Sequence, residues 1–199
     1  MAARKKPAKK AAKKSAKKAA KKTAKKAVKK KAAPKAAKKA TTPVTGKSFL
    51  GQAAPPFTLP TGDGKSISLA DFKGQRVLLY FYPKDDTPGC TAQACDLRDN
   101  MQKFAKANTV VIGVSKDDVL SHVRFKEKYR LNFLLASDKD TGVCEKYGVW
   151  VEKNMYGRRY LGIQRSTFLI DERGIVRGEW RKVNVGSHAR DLQEAIAAL

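Results

Sequence analysis

Two short apolar runs constrain the fold more than any other feature of the chain. Arg76 to Tyr82 (RVLLYFY) and Thr109 to Val114 (TVVIGV) are almost continuous in aliphatic and aromatic residues. Runs of this length without polar alternation suit strands buried on both faces. Between them, from Pro88 to about Ala107, Leu97, Met101 and Phe104 recur at spacings of four and three, which predicts a helix. Strand, helix and strand in that order point to an α/β sheet covered by helices.

The surrounding segments extend the pattern. Phe57 to Leu59 and Ser66 to Leu69 flank the turn Thr61-Gly62-Asp63-Gly64 and predict a hairpin. Val119, Val123 and Phe125 to Tyr129 predict a second helix, and Phe133 to Ala136 and Ser166 to Ile170 further strands, with a short helix around Val143 to Tyr147. Asp171 to Gly174 is a turn, followed by a strand through Trp180 and a last helix from about Ser187, a plausible N-cap, to Leu199. The expected architecture is a central mixed sheet flanked by helices, with one antiparallel part.

Charge divides the chain. Residues 1–48 hold 20 of the 43 Lys and Arg and none of the 18 Asp and Glu, so of the net +25 only +5 belongs to residues 49–199. Lys pairs begin at positions 5, 9, 13, 17, 21, 25 and 29 with Ala filling most of the gaps. A period of four outruns the helical 3.6, so successive pairs would step about 40° around a helix and no apolar face would persist. Like charges at i and i+4 also oppose a helix, and Pro7, Pro34 and Pro43 interrupt it. The expectation is a disordered basic tail, 1–48, and a folded domain, 49–199. The tail resembles the Lys/Ala/Pro-rich tails of linker histones, and such an array binds polyanions such as nucleic acid without sequence preference. A solvated charge run that serves solubility is the alternative.

No run of 18 apolar residues occurs, so no membrane span is expected, and no apolar core follows the basic start as a secretory signal would require. Three irregularly placed cysteines do not make a disulfide scaffold. Thiols used chemically in a reducing compartment, the cytosol, are expected, with nucleoid association through the tail as a further option. His122 and His188 stand isolated from other ligand types, and no phosphate-cradling glycine loop occurs, so neither metal nor nucleotide cofactor is expected.

The chemistry concentrates at Pro83-Lys84-Asp85-Asp86-Thr87-Pro88-Gly89-Cys90, between the first buried strand and the helix after it. This places Cys90 in a first helical turn, where unpaired N–H groups and the helix dipole stabilise a thiolate, the nucleophilic form. Pro88 suits the start of a helix because its missing N–H would have had no partner there. Taken singly, Thr87 would be an N-cap, Pro83 a strand terminator, Arg165 a surface ion-pairing residue, and Cys90 a small buried hydrophobe.

The string resembles the peroxiredoxins, whose peroxide-attacking cysteine lies in a P-x-x-x-T-x-x-C motif matched by Pro83, Thr87 and Cys90. Phe81 to Thr91 is similar to the bacterioferritin-comigratory, or PrxQ, branch, and the opening at 51–60, GVW at 148–150 and RSTFLID at 165–171 fall in the expected order. The resemblance implies a thioredoxin-like fold and reduction of hydrogen peroxide and organic hydroperoxides without a cofactor. It implies that Cys90 becomes a sulfenic acid, that Thr87 hydrogen-bonds the peroxide, that Pro83 shields the site, and that Arg165 holds the thiolate. It further implies that Cys95 resolves the sulfenic acid as a disulfide, reduced in turn by thioredoxin or a similar dithiol.

Geometry adds a condition. In an intact helix, residues five apart have Cα atoms about 8 to 9 Å apart, whereas a disulfide rarely spans more than about 7 Å. A Cys90–Cys95 bond therefore requires the helix to unwind locally. Cys144 is expected to be a buried thiol, with a backup resolving role as the alternative, and Arg98 is expected to be structural. A nucleic-acid-binding protein whose basic tail is the main functional element is the reading from a different class.

Overall fold

The computed structural model describes residues 47–199, so the expectation of disorder in the basic tail lies outside the described residues except at Lys47 and Ser48. From there the chain is tied down. Arg181 donates to the Lys47 carbonyl, and Ser48 Oγ and the Phe49 N–H donate to Glu179.

A hairpin of β1 (Thr58–Pro60) and β2 (Ser66–Ser68) leads through a single 3-10 turn, Leu69–Phe72, into β3 (Arg76–Phe81). Then follow α1 (Pro88–Asp99), α2 (Met101–Lys106), β4 (Thr109–Ser115), α3 (Val119–Tyr129), β5 (Leu134–Ser137) and α4 (Gly142–Lys146). A second hairpin, β6 (Trp150–Met155) and β7 (Arg158–Ile163), precedes β8 (Ser166–Ile170), β9 (Val176–Arg181) and α5 (His188–Ala197). The central sheet has the order β5-β4-β3-β8-β9. β3, β4 and β5 run parallel, and β8 and β9 are the antiparallel part.

The strand at the centre of this sheet accounts for the first apolar run. Val77, Leu79 and Phe81 enter one buried cluster, shared with Phe168, Tyr147 and Cys144. Leu78, Tyr80 and Tyr82 enter the other, shared with Cys90, Ala94 and Leu97 of α1, Phe125 of α3, and Leu192 and Ile196 of α5. Alternate side chains thus face opposite layers, and every position from Val77 to Tyr82 is buried.

Two expectations need correction, and one element had no counterpart in the sequence reading. The helix expected from Pro88 to Ala107 is two segments: Asn100 has φ −101° and ψ 3°, and its side chain donates back to the Asp96 carbonyl at 2.8 Å. Such a side-chain bond to the backbone competes with the helical ladder. Ser187 occupies the cap position of α5 without capping it, because its hydroxyl donates to Asp191 Oδ2 at 2.9 Å. The β6–β7 hairpin went unforeseen, since most of its residues are exposed and carry no buried period. Its turn, Tyr156-Gly157, has positive φ at both positions, as a two-residue hairpin turn of this kind requires.

Candidate active site

Cys90 is the third residue of α1, after Pro88 and Gly89, and is 2% exposed. It therefore lies in the first turn, as its place in the sequence suggests. Thr87 occupies the cap position, but its side chain makes no cap bond. Its Oγ1 donates to the Lys84 carbonyl at 3.0 Å, which leaves the oxygen lone pairs of the hydroxyl to accept. Pro83, half-buried, follows β3 after the single residue Tyr82.

Arg165 comes from the two-residue link between β7 and β8, and the antiparallel pairing of β8 with β3 brings it across to α1. Its Nη2 donates to Cys90 Sγ at 3.2 Å, and its Nη1 donates to Gln93 Oε1. The guanidinium thus bridges Cys90 and Gln93, both on the buried face of α1. Gly89 stands beside this contact, since a Cβ there would lie 3.4 Å from Arg165 Nη2.

The loop before Cys90 is anchored independently. Buried Asp85 accepts from Tyr82 Oη at 2.6 Å and from Ser121 Oγ at 2.7 Å, and its Oδ2 lies 2.8 Å from His122 Nδ1. Its own N–H donates to Asp117 Oδ2 at 2.7 Å. Burial would raise the Asp85 pKa, but the bonds from His122 and Tyr82 outweigh it and hold the carboxyl below the usual range. Asp86, in the left-handed region at φ +54°, pairs with Lys128 and accepts from Tyr129 Oη.

Of the residues singled out in the sequence, the structure brings together Cys90 and Arg165, with Thr87 one turn before the thiol. Cys95 lies half-buried on the same intact helix, and all three thiols are free. Cys144 belongs to the opposite layer, with the sheet between it and Cys90. Burial and neighbouring Asp138 push its pKa far up, which keeps it a protonated, unreactive thiol. Arg98 donates to Asp99 and to the Tyr129 carbonyl, a structural role.

Sequence reasoning missed four nearby groups: Gln93, His188, Lys153 and the Asp85–His122 pair. Gln93 had a signal, since Cys90, Gln93, Ala94 and Leu97 fall at the 0, 3, 4, 7 spacing of one helix face, and all four are buried. Lys153 of β6 donates to the Ile163 carbonyl at 2.6 Å. Burial, with Arg165 adding to it and Cys90 opposing, lowers its pKa, so a second cation adjoins the site.

Fold and thiol site together define a cysteine-based peroxidase of thioredoxin-like architecture, and the chain belongs to the AhpC/TSA family, whose model matches residues 50–179. It is 56% identical over 143 residues to a putative peroxiredoxin Bcp of Coxiella burnetii, covering 72% of this chain and 95% of that one. It is 51% identical over 138 residues to the peroxiredoxin Bcp of Escherichia coli, covering 69% and 88%. The structure of Xanthomonas campestris peroxiredoxin Q superimposes with a TM-score of 0.69 at 42% identity, over 71% of this chain and 90% of that one. Within the family the chain is of the Bcp/PrxQ type, a thiol peroxidase. Among the described residues, no helix is long and apolar enough to cross a membrane.

Proposed function

We propose that Cys90 is the nucleophile that reduces hydrogen peroxide and organic hydroperoxides. The observation that carries this reading is the contact of Arg165 Nη2 with Cys90 Sγ at 3.2 Å, at the start of a helix. The thiolate attacks the outer peroxide oxygen, the O–O bond breaks, and the alkoxide leaves and takes a proton as alcohol. Cys90 is left as a sulfenic acid. Arg165 supports the thiolate beforehand and the developing oxyanion afterwards. Thr87 accepts a hydrogen bond from the peroxide hydroxyl, and Pro83 excludes water. The Xanthomonas campestris relative is described for alkyl peroxide reduction, which supports an organic substrate here.

Cys95 then attacks the sulfenic sulfur, expelling water and forming a disulfide. An external dithiol of the thioredoxin kind returns both thiols, as expected for a cytosolic enzyme. Cys90→Ser removes turnover with a thiol reductant if this is right, and unchanged turnover refutes it. Cys95→Ser is expected to complete one reduction and stop at the sulfenic acid, whereas a Cys90–Cys144 disulfide seen by non-reducing peptide mapping would reassign the resolving step.

A separate role for residues 1–48 rests on their 20 basic and no acidic residues. The tail binds polyanions such as DNA by counterion release, holding the peroxidase domain near the nucleoid. Full-length protein is expected to bind duplex DNA with an affinity that falls steeply with salt, and a form lacking 1–46 to lose it. Equal affinities would remove the tail's role.

A further inference from the structure

Gln93 and His188 form a buried pair that the chemistry above leaves unused. Gln93 lies between the two cysteines of α1 and is 1% exposed. Its Oε1 accepts from Arg165, and because a guanidinium only donates, this contact fixes which way the amide faces. The Nε2 end lies 3.2 Å from Nδ1 of His188, the first residue of α5. An amide nitrogen only donates, so Nδ1 accepts, and the imidazole is neutral with its proton on Nε2. Burial, with Arg165 adding to it and Asp191 opposing, holds the His188 pKa down at about 4 and keeps this form at neutral pH.

We propose that the Gln93–His188 pair is the latch that keeps Arg165 in place and α1 wound, and that its release lets Cys95 reach Cys90. This rests on the reading of Cys95 as the resolving thiol. Closing the gap between the cysteines unwinds the residues between them, so Gln93 leaves its place and both of its bonds break. The buried face of α1 offers little else to resist this, since Cys90 and Ala94 are small and only Leu97 is a large apolar side chain. The chemistry itself loosens the latch. Peroxide converts the Cys90 thiolate to a neutral sulfenic acid, with ROOH and a proton becoming ROH, so Arg165 loses the anion it faced. Cys95 then gives its thiol to the sulfenic sulfur, and the sulfenic oxygen leaves as water. Gln93 and His188 act on this sequence as positioning residues.

Two substitutions separate a latch from mere packing. His188→Leu removes the acceptor at similar size, and His188→Asn restores one through Oδ1. Each purified full-length variant receives one equivalent of hydrogen peroxide, and quenched-flow mass spectrometry follows the Cys90–Cys95 disulfide. Disulfide formation is expected about fivefold faster in His188→Leu, the factor that one lost hydrogen bond supplies. The His188→Asn rate is expected within about twofold of the wild type, and half-conversion to sulfinic acid is expected to need correspondingly more peroxide in His188→Leu. A wild-type rate in His188→Leu, or an equal acceleration in both variants, overturns the latch. Persistent sulfenic acid in the wild type would instead overturn the assignment of Cys95. Should His188→Leu fail to fold, Gln93→Glu decides. Its carboxylate accepts from both Arg165 and a His188 Nδ1–H, so the disulfide is expected at least about fivefold more slowly, and an unchanged or faster rate overturns the proposal.

Discussion

The chain enters Cys90 from a loop and leaves it along a helix, and the two sides are held by different means. On the loop side, Asp85 is a buried carboxylate satisfied by Tyr82, Ser121 and His122, and Asp86 reaches α3 through Lys128 and Tyr129. On the helix side, the cysteine-bearing turns of α1 depend on Gln93, on small side chains and on Leu97, with Arg98 bound to the Tyr129 carbonyl only at the far end, and α1 is parted from α2 at Asn100. In the proposed mechanism the pinned loop keeps Pro83 and Thr87 in place for the peroxide, and the helix, separate from α2, unwinds for the disulfide.

The largest effects should fall on the loop side. Asp85→Ala leaves His122 and Tyr82 buried without their acceptor and is expected to cost about 3 to 5 kcal/mol in urea unfolding. Gln93→Ala is expected to cost only about 1 to 2 kcal/mol. Equal losses would break the comparison. Arg165→Met takes away the donor that bears on the sulfur, and single-turnover attack on peroxide is expected to slow about a hundredfold, with a loss of about 1 to 2 kcal/mol in stability because Gln93 Oε1 is left without its donor.

Acid should distinguish the two sides as well. The His188 pKa is depressed from 6.5 to about 4, so the unfolded chain binds a proton in that window that the folded one refuses. Stability on the helix side should therefore be complete above about pH 6.5 and fall towards pH 4, with a slope approaching about 1.4 kcal/mol per unit. The Asp85 carboxyl is held below 3.8, so its contribution should persist through this range and fail only in stronger acid. Urea titrations at pH 7 and 4.5 check this, and His188→Leu should flatten the difference. The smallest effect is expected from Gly89→Ala. This change favours helix by up to about 1 kcal/mol, and the added Cβ would touch only Arg165 Nη2, at 3.4 Å, so disulfide formation should slow by up to about fivefold.

The part of this arrangement visible in the sequence was the part written in short-range pattern. The run from Arg76 to Tyr82 lies at the centre of the sheet, and the string ending at Cys90 marks the turn between that strand and α1. Arg165 was placed by its surroundings in RSTFLID, which resemble a family pattern. Gln93 and His188 are 95 positions apart, and only the fold brings α5 against α1. His122 read as an isolated histidine for the same reason: its partner Asp85 lies 37 residues earlier. The β6–β7 hairpin was hidden because exposed strands leave no apolar period. Its Tyr156-Gly157 turn was the one available sign.

Hydrogen exchange along α1, compared between the reduced protein and the protein carrying the Cys90–Cys95 disulfide, tests most directly whether the helix side yields while the loop side holds. Amides from about Thr91 to Leu97 are expected to lose protection on oxidation, while those of β3 and of Asp85 keep theirs. A disulfide formed with α1 still protected, or with β3 and Asp85 exposed to the same degree, would contradict it.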